Sequence, residues 1–145
     1  MSAASLERFE LLADLHGDEA RLLWELLEPV ELREGQQLFR EGQESEGLVL
    51  VDEGSLRCES RRTGALGCHG AGTVIGAASL VVVGPRELTA VADGPSRVLL
   101  LSREAFHRFE ADAPRGAARV LAAIAHLLGS TLRDSLDHLT GPPGR

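Results

Sequence analysis

Two adjacent residues, Cys68 and His69, carry side chains that commonly bind metal ions. Adjacent residues of a strand point to opposite faces, so this pair cannot readily hold one ion together. The other histidines are dispersed along the chain, at His16, His107, His126 and His138. The chain has two cysteines, Cys58 and Cys68, which are too few for a disulfide scaffold. The sequence therefore predicts no metal site and no resident cofactor, and both cysteines are expected to be reduced core or strand residues.

Acidic side chains, which could act as general acids and bases, are concentrated in one glycine-rich stretch. They are Glu41, Glu44, Glu46, Asp52 and Glu53. Such a run in predicted turns is typical of a solvated rim. No paired carboxylates and no nucleophile with a nearby base can be assigned to one site, so the sequence predicts a domain that is not an enzyme.

An arginine, Arg86, could bind an anion, because guanidinium groups form charge-assisted hydrogen bonds with phosphates and carboxylates. It lies between Pro85 and Glu87. A Pro-Arg pair alone is a weak signal, and a surface arginine in a turn is the alternative interpretation.

Size and charge limit the classes of function. A chain of 145 residues, with 43% hydrophobic and 26% charged residues, is typical of one compact globular domain. Its net charge is −7 and its basic residues are scattered arginines, paired only at Arg61 and Arg62, so nucleic acid is not an expected partner. No apolar run is long enough for a membrane span, and acidic residues near the start replace the apolar run of a secretory signal. We expect a cytoplasmic protein.

Three regions have different periodicities. Residues 1–29 space Leu and Phe as amphipathic helices do, which predicts two short helices, with Asp18 capping the second, Trp24 in the core and Pro29 ending it. Residues 30–102 contain short strand-like runs separated by glycines, which predicts a compact β barrel or sandwich. Residues 103–139 return to helical spacing, with a long final helix from Gly116 to about Leu139. Residues 140–145 are expected to be a tail, so 1–139 form a single domain.

The final helix carries an apolar stripe with alternating three- and four-residue steps. Its members are Ala117, Leu121, Ile124, Leu128, Leu132, Ser135 and Leu139. This spacing suits packing between helices and predicts a symmetric homodimer through the stripe. A second row through Val120, Leu127 and Leu136 could pack on the β domain, and the alternative is that the stripe itself does so.

Two segments resemble the cyclic-nucleotide-binding domains of the catabolite activator protein and of protein kinase regulatory subunits. They are EGQQLFREGQESEGLVLVDEGSLR, with Gly35, Gly42 and Gly54 at the family's hairpin turns, and GAGTVIGAASLVVVGPRELTAVA. The resemblance covers nearly the whole chain. It implies a mainly β fold with flanking helices, a double-stranded β-helix or jelly roll with N-terminal helices and a long C-terminal helix. No DNA-binding module is expected in this sequence.

The second segment resembles the family's phosphate-binding cassette, a short helix between two strands followed by an arginine that neutralises the phosphate together with backbone N–H groups. The resemblance implies the following candidate ligand-binding residues: Ile75, Gly76, Ala77, Ala78, Arg86, Glu87, Leu88, Thr89 and Thr131. Thr131 lies near where the family's helix reads a base, although a surface hydroxyl with no ligand role is the alternative.

Three residues depart from the family pattern. Ala77 occupies the position of the glutamate that accepts the ribose hydroxyl, Glu87 brings a carboxylate next to the arginine, and Leu88 replaces a small residue. We therefore expect a sensor domain that binds a cyclic nucleotide weakly or takes another small anionic ligand. The alternatives are a dimerisation or protein-interaction module with a degenerate pocket and an unknown protein partner, and the effector domain of a truncated transcription regulator.

Overall fold

A computed structural model describes residues 3–139 as a jelly roll made of two antiparallel sheets. One sheet has the strand order β1-β8-β3-β6 and the other β2-β7-β4-β5. The strands are β1 (Glu28–Leu32), β2 (Gln37–Phe39), β3 (Gly47–Glu53), β4 (Ser55–Ser60), β5 (Gly64–Gly70), β6 (Val74–Ile75), β7 (Thr89–Ala92) and β8 (Ser96–Ser102). The predicted tail, residues 140–145, lies outside the described residues.

Helices flank the roll at both ends of the chain. The N-terminal region has 3₁₀ segments at Ala3–Arg8 and Glu10–Leu12, followed by the helix α1 (Gly17–Leu26). A short 3₁₀ helix at Ala77–Leu80, called here the cassette helix, connects β6 to the loop before β7. The C-terminal helices are α2 (Arg103–Asp112) and α3 (Pro114–Leu139). Both α1 and α3 were expected, whereas the first predicted helix is a pair of tighter 3₁₀ turns.

The predicted boundaries of α1 need correction at both ends. Its N-cap residue is His16, and Asp18 lies in the first helical turn, where a carboxylate still interacts favourably with the positive end of the helix dipole. Pro29 does not end the helix, because α1 ends at Leu26 and Pro29 belongs to β1. Proline is tolerated there because β1 is an edge strand. The roll thus begins at Glu28, two residues earlier than predicted.

Strand β3 lies between two hydrophobic clusters. Successive side chains of a strand point to opposite faces, so Val49 and Val51 pack inside the roll while Leu48 and Leu50 pack under the helices. The cluster inside the roll also contains Phe39, Leu56, Cys58, Ala90 and Val98, and the cluster under the helices also contains Leu12, Leu23, Leu101, Phe106 and Phe109. Because both faces of β3 are covered, its sequence is a continuous apolar run and does not alternate between apolar and polar residues.

The two cysteines differ in environment. Cys58 is fully buried in the roll, and this burial, with a smaller contribution from nearby Cys68, raises the pKa of its thiol. Cys68 is exposed on β5, next to His69 on the same strand. The two cysteines lie on neighbouring strands, β4 and β5. Among residues 3–139 no group of three or more His, Cys, Asp or Glu side chains could hold a metal ion.

Only the first part of α3 packs on the domain. Ala117, Val120 and Ile124 are buried, and Leu121 is half-buried against the same cluster. The prediction that Ile124 belongs to the dimer stripe is therefore wrong, because its side chain is buried in the core of its own chain. It packs there together with Val120, which belongs to the second apolar row. From Ala125 to Leu139 every residue of the helix is exposed.

Helix α3 is fixed to α1 and α2 at its start. Pro114 begins it, at a position where the missing N–H costs nothing. A Cβ atom at Gly116 would lie 2.7 Å from a carboxylate oxygen of Glu19 and 3.1 Å from the ring of Phe109, so a larger residue would require both side chains to shift. Glu19 also forms an ion pair with Arg119. The base of α3 is consequently held on the domain by both shape and charge.

Candidate functional site

The cassette helix and the loop after it enclose a cavity of about 440 Å³. Small-molecule sites commonly have volumes of roughly 300–1,000 Å³. The walls are mainly apolar, and their larger side chains are Phe39, Ile75, Val82, Val83, Pro85 and Leu88. Four further predicted residues also line it, namely Gly76, Ala78, Arg86 and Glu87. The structure thus brings six of the predicted ligand-binding residues together around one cavity.

Gly76 sets the geometry of the cassette. It precedes the cassette helix with a φ of +73°, a conformation that glycine adopts without strain. A Cβ atom built there would lie only 2.6 Å from Nη1 of Arg86. Glycine therefore serves two purposes, since it allows the turn into the helix and leaves room for the guanidinium.

Arg86 is held in the cavity wall by three contacts. Its Nη2 donates a hydrogen bond to the carbonyl oxygen of Gly47 at 2.9 Å, and Nη1 makes a longer one to the hydroxyl of Ser79 at 3.4 Å. The guanidinium carbon also lies 4.2 Å from the centre of the Phe39 ring, a cation–π contact. A guanidinium has five N–H donors, so about three remain available to a ligand.

Arg86 forms no ion pair with a carboxylate among the described residues. Burial lowers the pKa of this guanidinium; the positive charge of Arg103 acts in the same direction, whereas Glu46 opposes it. The neighbouring Glu87 is exposed and forms no ion pair with Arg86. A half-buried cation that forms no direct ion pair favours binding of an anion, since the anion would restore part of the lost solvation.

The structure places three predicted site residues elsewhere. Ala77 is buried with Leu80 in the cluster under the helices, because residues three apart share one face of a 3₁₀ helix. The hydroxyl of Thr89 accepts a hydrogen bond from the backbone N–H of Glu41 at 2.9 Å, so it supports β7 and the loop after β2. Thr131 is exposed on α3 and its hydroxyl donates to the carbonyl oxygen of Leu127. None of the three lines the cavity.

Sequence reasoning missed Arg103, the first residue of α2. Its Nε donates to the carbonyl oxygen of Ser79 at 3.0 Å, and its Nη2 donates to those of Ser45 at 2.9 Å and Val82 at 3.3 Å. It therefore connects α2 with the cassette and with the β2–β3 loop. A signal was present, because a cation in the first turn of a helix opposes the helix dipole and indicates a role outside the helix.

Comparisons with known proteins agree with this geometry. The sequence profile of the cyclic nucleotide-binding domain matches residues 29–112, which is more than half of the chain. The chain belongs to this family. Family membership confirms the jelly-roll fold and assigns the chain to a class of regulatory, non-catalytic domains.

Individual relatives are regulators of transcription. A CRP-like cAMP-activated global transcriptional regulator of Mycobacterium tuberculosis is 27% identical over 124 residues, which cover 82% of this chain and 55% of the relative. The chain thus spans about half the length of the curated relatives that it matches. Two crystal structures resemble the fold, the N-terminal domain of a transcriptional regulator from Streptomyces coelicolor and the catabolite activator protein of Thermus thermophilus.

The structural agreement with both is close. The Streptomyces domain has a TM-score of 0.79 and 29% identity, covering 87% of this chain and 93% of that one. The Thermus protein has a TM-score of 0.78 and 27% identity, covering 90% of this chain and 61% of that one.

Among the described helices, none is both long and apolar enough to cross a membrane.

Proposed function

We propose that this domain is a ligand sensor that binds a small anion at Arg86. The observation that carries the proposal is the environment of this side chain, a half-buried guanidinium that lines a cavity, forms no ion pair with a carboxylate and keeps N–H donors to spare. Such a group binds a negatively charged ligand at little reorganisation cost, because Gly47, Ser79 and Phe39 already fix its orientation.

Cyclic nucleotides are expected to bind only weakly. Ala77 lies in the core and supplies no carboxylate that could accept a hydrogen bond from the ribose hydroxyl. Glu87 does line the cavity, and its negative charge opposes the binding of a phosphate. Loss of a hydrogen bond to a charged group costs about 1.5–3 kcal/mol. This corresponds to an affinity roughly ten- to a hundredfold lower than in a domain that keeps the acceptor.

A route for signal transmission follows from the contacts of the cassette helix. Ala77 and Leu80 pack in the same cluster as Phe106, Phe109 and Val120 of α2 and α3. Arg103 adds polar contacts from α2 to the carbonyl groups of the cassette. A ligand that favours one position of the cassette would therefore bias the position of α2 and α3 as well.

The experiment is isothermal titration of the chain with cyclic AMP, cyclic GMP and inorganic phosphate, repeated with Arg86→Met. We expect weak binding of an anion by the wild type and at least a tenfold loss in the variant, because the buried charge is removed. Arg33→Met, at an exposed arginine after β1, is the matched control and should bind like the wild type. Binding that is unchanged by Arg86→Met would overturn the proposal.

The dimerisation module remains the second candidate, and the exposed half of α3 favours it. Leu132, Leu136 and Leu139 are 60%, 51% and 80% exposed, which is costly for large apolar side chains at helical spacing. We propose that these leucines, with Leu128, pair two chains into a homodimer. This role is compatible with sensing, and it becomes the main function if the Arg86 cavity binds nothing.

The remaining alternative is the effector domain of a transcription regulator, supported by the names of the relatives and by the share of their length that the chain spans. In that case the recognition of DNA would belong to a different part of the protein, since this chain has a net charge of −7 and no basic cluster. In each case we place the domain in the cytoplasm.

A further inference from the structure

We propose that the anion sensed at Arg86 is an amphipathic monocarboxylate, a single carboxylate on an aliphatic or aromatic body without a sugar. This inference rests on the proposed function and specifies its ligand class. Three independent features of the cavity support it: the composition of its walls, the exposure of its rim and its charge.

The walls offer few polar partners to a nucleotide. Besides Arg86, the polar side chains that line the cavity are those of Ser79 and Glu87, and the hydroxyl of Ser79 already accepts a hydrogen bond from Arg86. A ribose and a base carry several donors and acceptors, and each one that is buried without a partner costs free energy. Phe39, Ile75 and Leu88 instead provide apolar contact surface on the wall. An apolar ligand body therefore matches the wall better than a nucleoside.

The rim of the cavity carries exposed apolar side chains. Val81, Val82 and Val83 are consecutive and are 50%, 59% and 61% exposed. Val82 and Val83 also line the cavity, so part of their exposed surface faces the space where a ligand would lie. A ligand with an apolar body would remove this surface from water, which is favourable in proportion to the area covered. Exposed valines at the mouth of a cavity are thus explained by an apolar ligand.

The charge of the site selects a monoanion. Arg86 contributes one cation, and Glu87 lies in the same wall, so a dianion would be repelled more strongly than a monoanion. A guanidinium binds the two oxygens of a carboxylate through parallel N–H donors. A ligand whose carboxylate pairs with Arg86, and whose apolar body lies along Leu88 and the rim valines, would match both the charge and the apolar surface of the cavity.

The test is isothermal titration with butyrate, hexanoate and octanoate, kept below their micelle concentrations, with octanol, inorganic phosphate and cyclic AMP for comparison. Burial of a methylene contributes about 0.8 kcal/mol, so affinity should rise up to about fourfold for each methylene that enters the cavity. Octanol should bind at least tenfold more weakly than octanoate, because it lacks the charge that Arg86 binds.

Two variants separate this site from nonspecific binding elsewhere. Arg86→Met should weaken octanoate at least tenfold, and Val82→Ser with Val83→Ser should reduce the dependence on chain length without unfolding the protein, because both valines are exposed. Arg33→Met should bind octanoate like the wild type. Octanoate binding that survives both changes would place the fatty acid on another apolar surface, such as the leucines of α3, and would overturn the inference.

The other results also decide between the two proposals. Cyclic AMP or phosphate binding at Arg86, with no binding of any carboxylate, would overturn the monocarboxylate and leave the anion sensor intact. If no anion binds and Arg86→Met changes nothing, both proposals fail, and the dimerisation module is favoured.

Discussion

Gly76 shows how a single residue shapes the proposed anion site. Its positive φ starts the cassette helix, and its missing side chain leaves space for the guanidinium of Arg86. That guanidinium in turn is oriented by the carbonyl group of Gly47, the hydroxyl of Ser79 and the ring of Phe39. Among the described residues, the guanidinium is therefore oriented by a backbone carbonyl, a small side chain and a ring, and by no ion pair with a carboxylate.

We predict that Gly76→Ala destabilises the protein and displaces Arg86. A Cβ atom would lie 2.6 Å from Nη1 of Arg86 and would force a strained φ, which together cost about 1–3 kcal/mol of unfolding free energy. Gly84→Ala is the matched control. Gly84 lies in the same loop region, has no positive φ and has open space where its Cβ would be, so a change within about 0.5 kcal/mol is expected. Urea unfolding measures both, and equal stability of the two variants would contradict the prediction.

At the scale of elements, the cassette helix is held from two sides. Its buried face, Ala77 and Leu80, packs under α2 and α3, and Arg103 donates hydrogen bonds to the carbonyl oxygen of Ser79 in the helix and to that of Val82 just after it. Helix α2 is itself fixed at its start, because the hydroxyl of Ser102 accepts a hydrogen bond from the backbone N–H of Ala105. The position of α2 is consequently coupled to that of the cassette.

We predict that Arg103→Met loosens the cassette. Three carbonyl groups lose a charged donor, which should lower the free energy of unfolding by about 1–3 kcal/mol and speed exchange of the Val81 and Val82 amides. Hydrogen exchange followed by NMR gives both measurements. Arg108→Met, an exposed position on the same helix, is the control and should leave both amides unchanged. If exchange at Val81 and Val82 is the same in both variants, Arg103 does not connect α2 to the cassette.

At the scale of the whole molecule, the described residues pack closely around the roll, but the second half of α3 is exposed on all sides. The start of this helix is fixed by Gly116, Arg119 and the buried Val120. Beyond Ile124 the helix continues to Leu139 with every residue exposed. This exposed segment carries the leucines that we propose to pair two chains.

We predict a dimer of two chains in solution that dissociates in the variant Leu128→Glu with Leu132→Glu. Two glutamates at the contact would bury unpaired charges, whereas both side chains are exposed in the single chain, so the fold of the domain should be preserved. Light scattering after size exclusion measures the mass, and circular dichroism checks the fold. Leu66→Glu, at an exposed leucine of strand β5, is the control and should remain dimeric. A wild-type chain that is monomeric at micromolar concentration would exclude the dimer.

The sequence by itself determined the fold class and indicated the candidate site. Glycine-separated apolar runs predicted the roll, helical spacing predicted α1 and α3, and the pattern from Ile75 to Arg86 indicated the cassette. These features are local, since turn chemistry and side-chain period depend on neighbouring residues in the chain. The choice of Arg86 as the anion-binding group also came from such a local pattern, and its position in the cavity wall supports it.

The tertiary structure decided which face of each element is covered, because this depends on residues far apart in the sequence. Ala77 is turned into the core by packing against α2 and α3, and Ile124 is buried by the same cluster although its spacing fitted the dimer seam. Arg103 reaches carbonyl groups 21 to 58 residues away, a relation that no local pattern contains. Periodicity shows that an element has an apolar face, and only the packed neighbours determine what that face contacts.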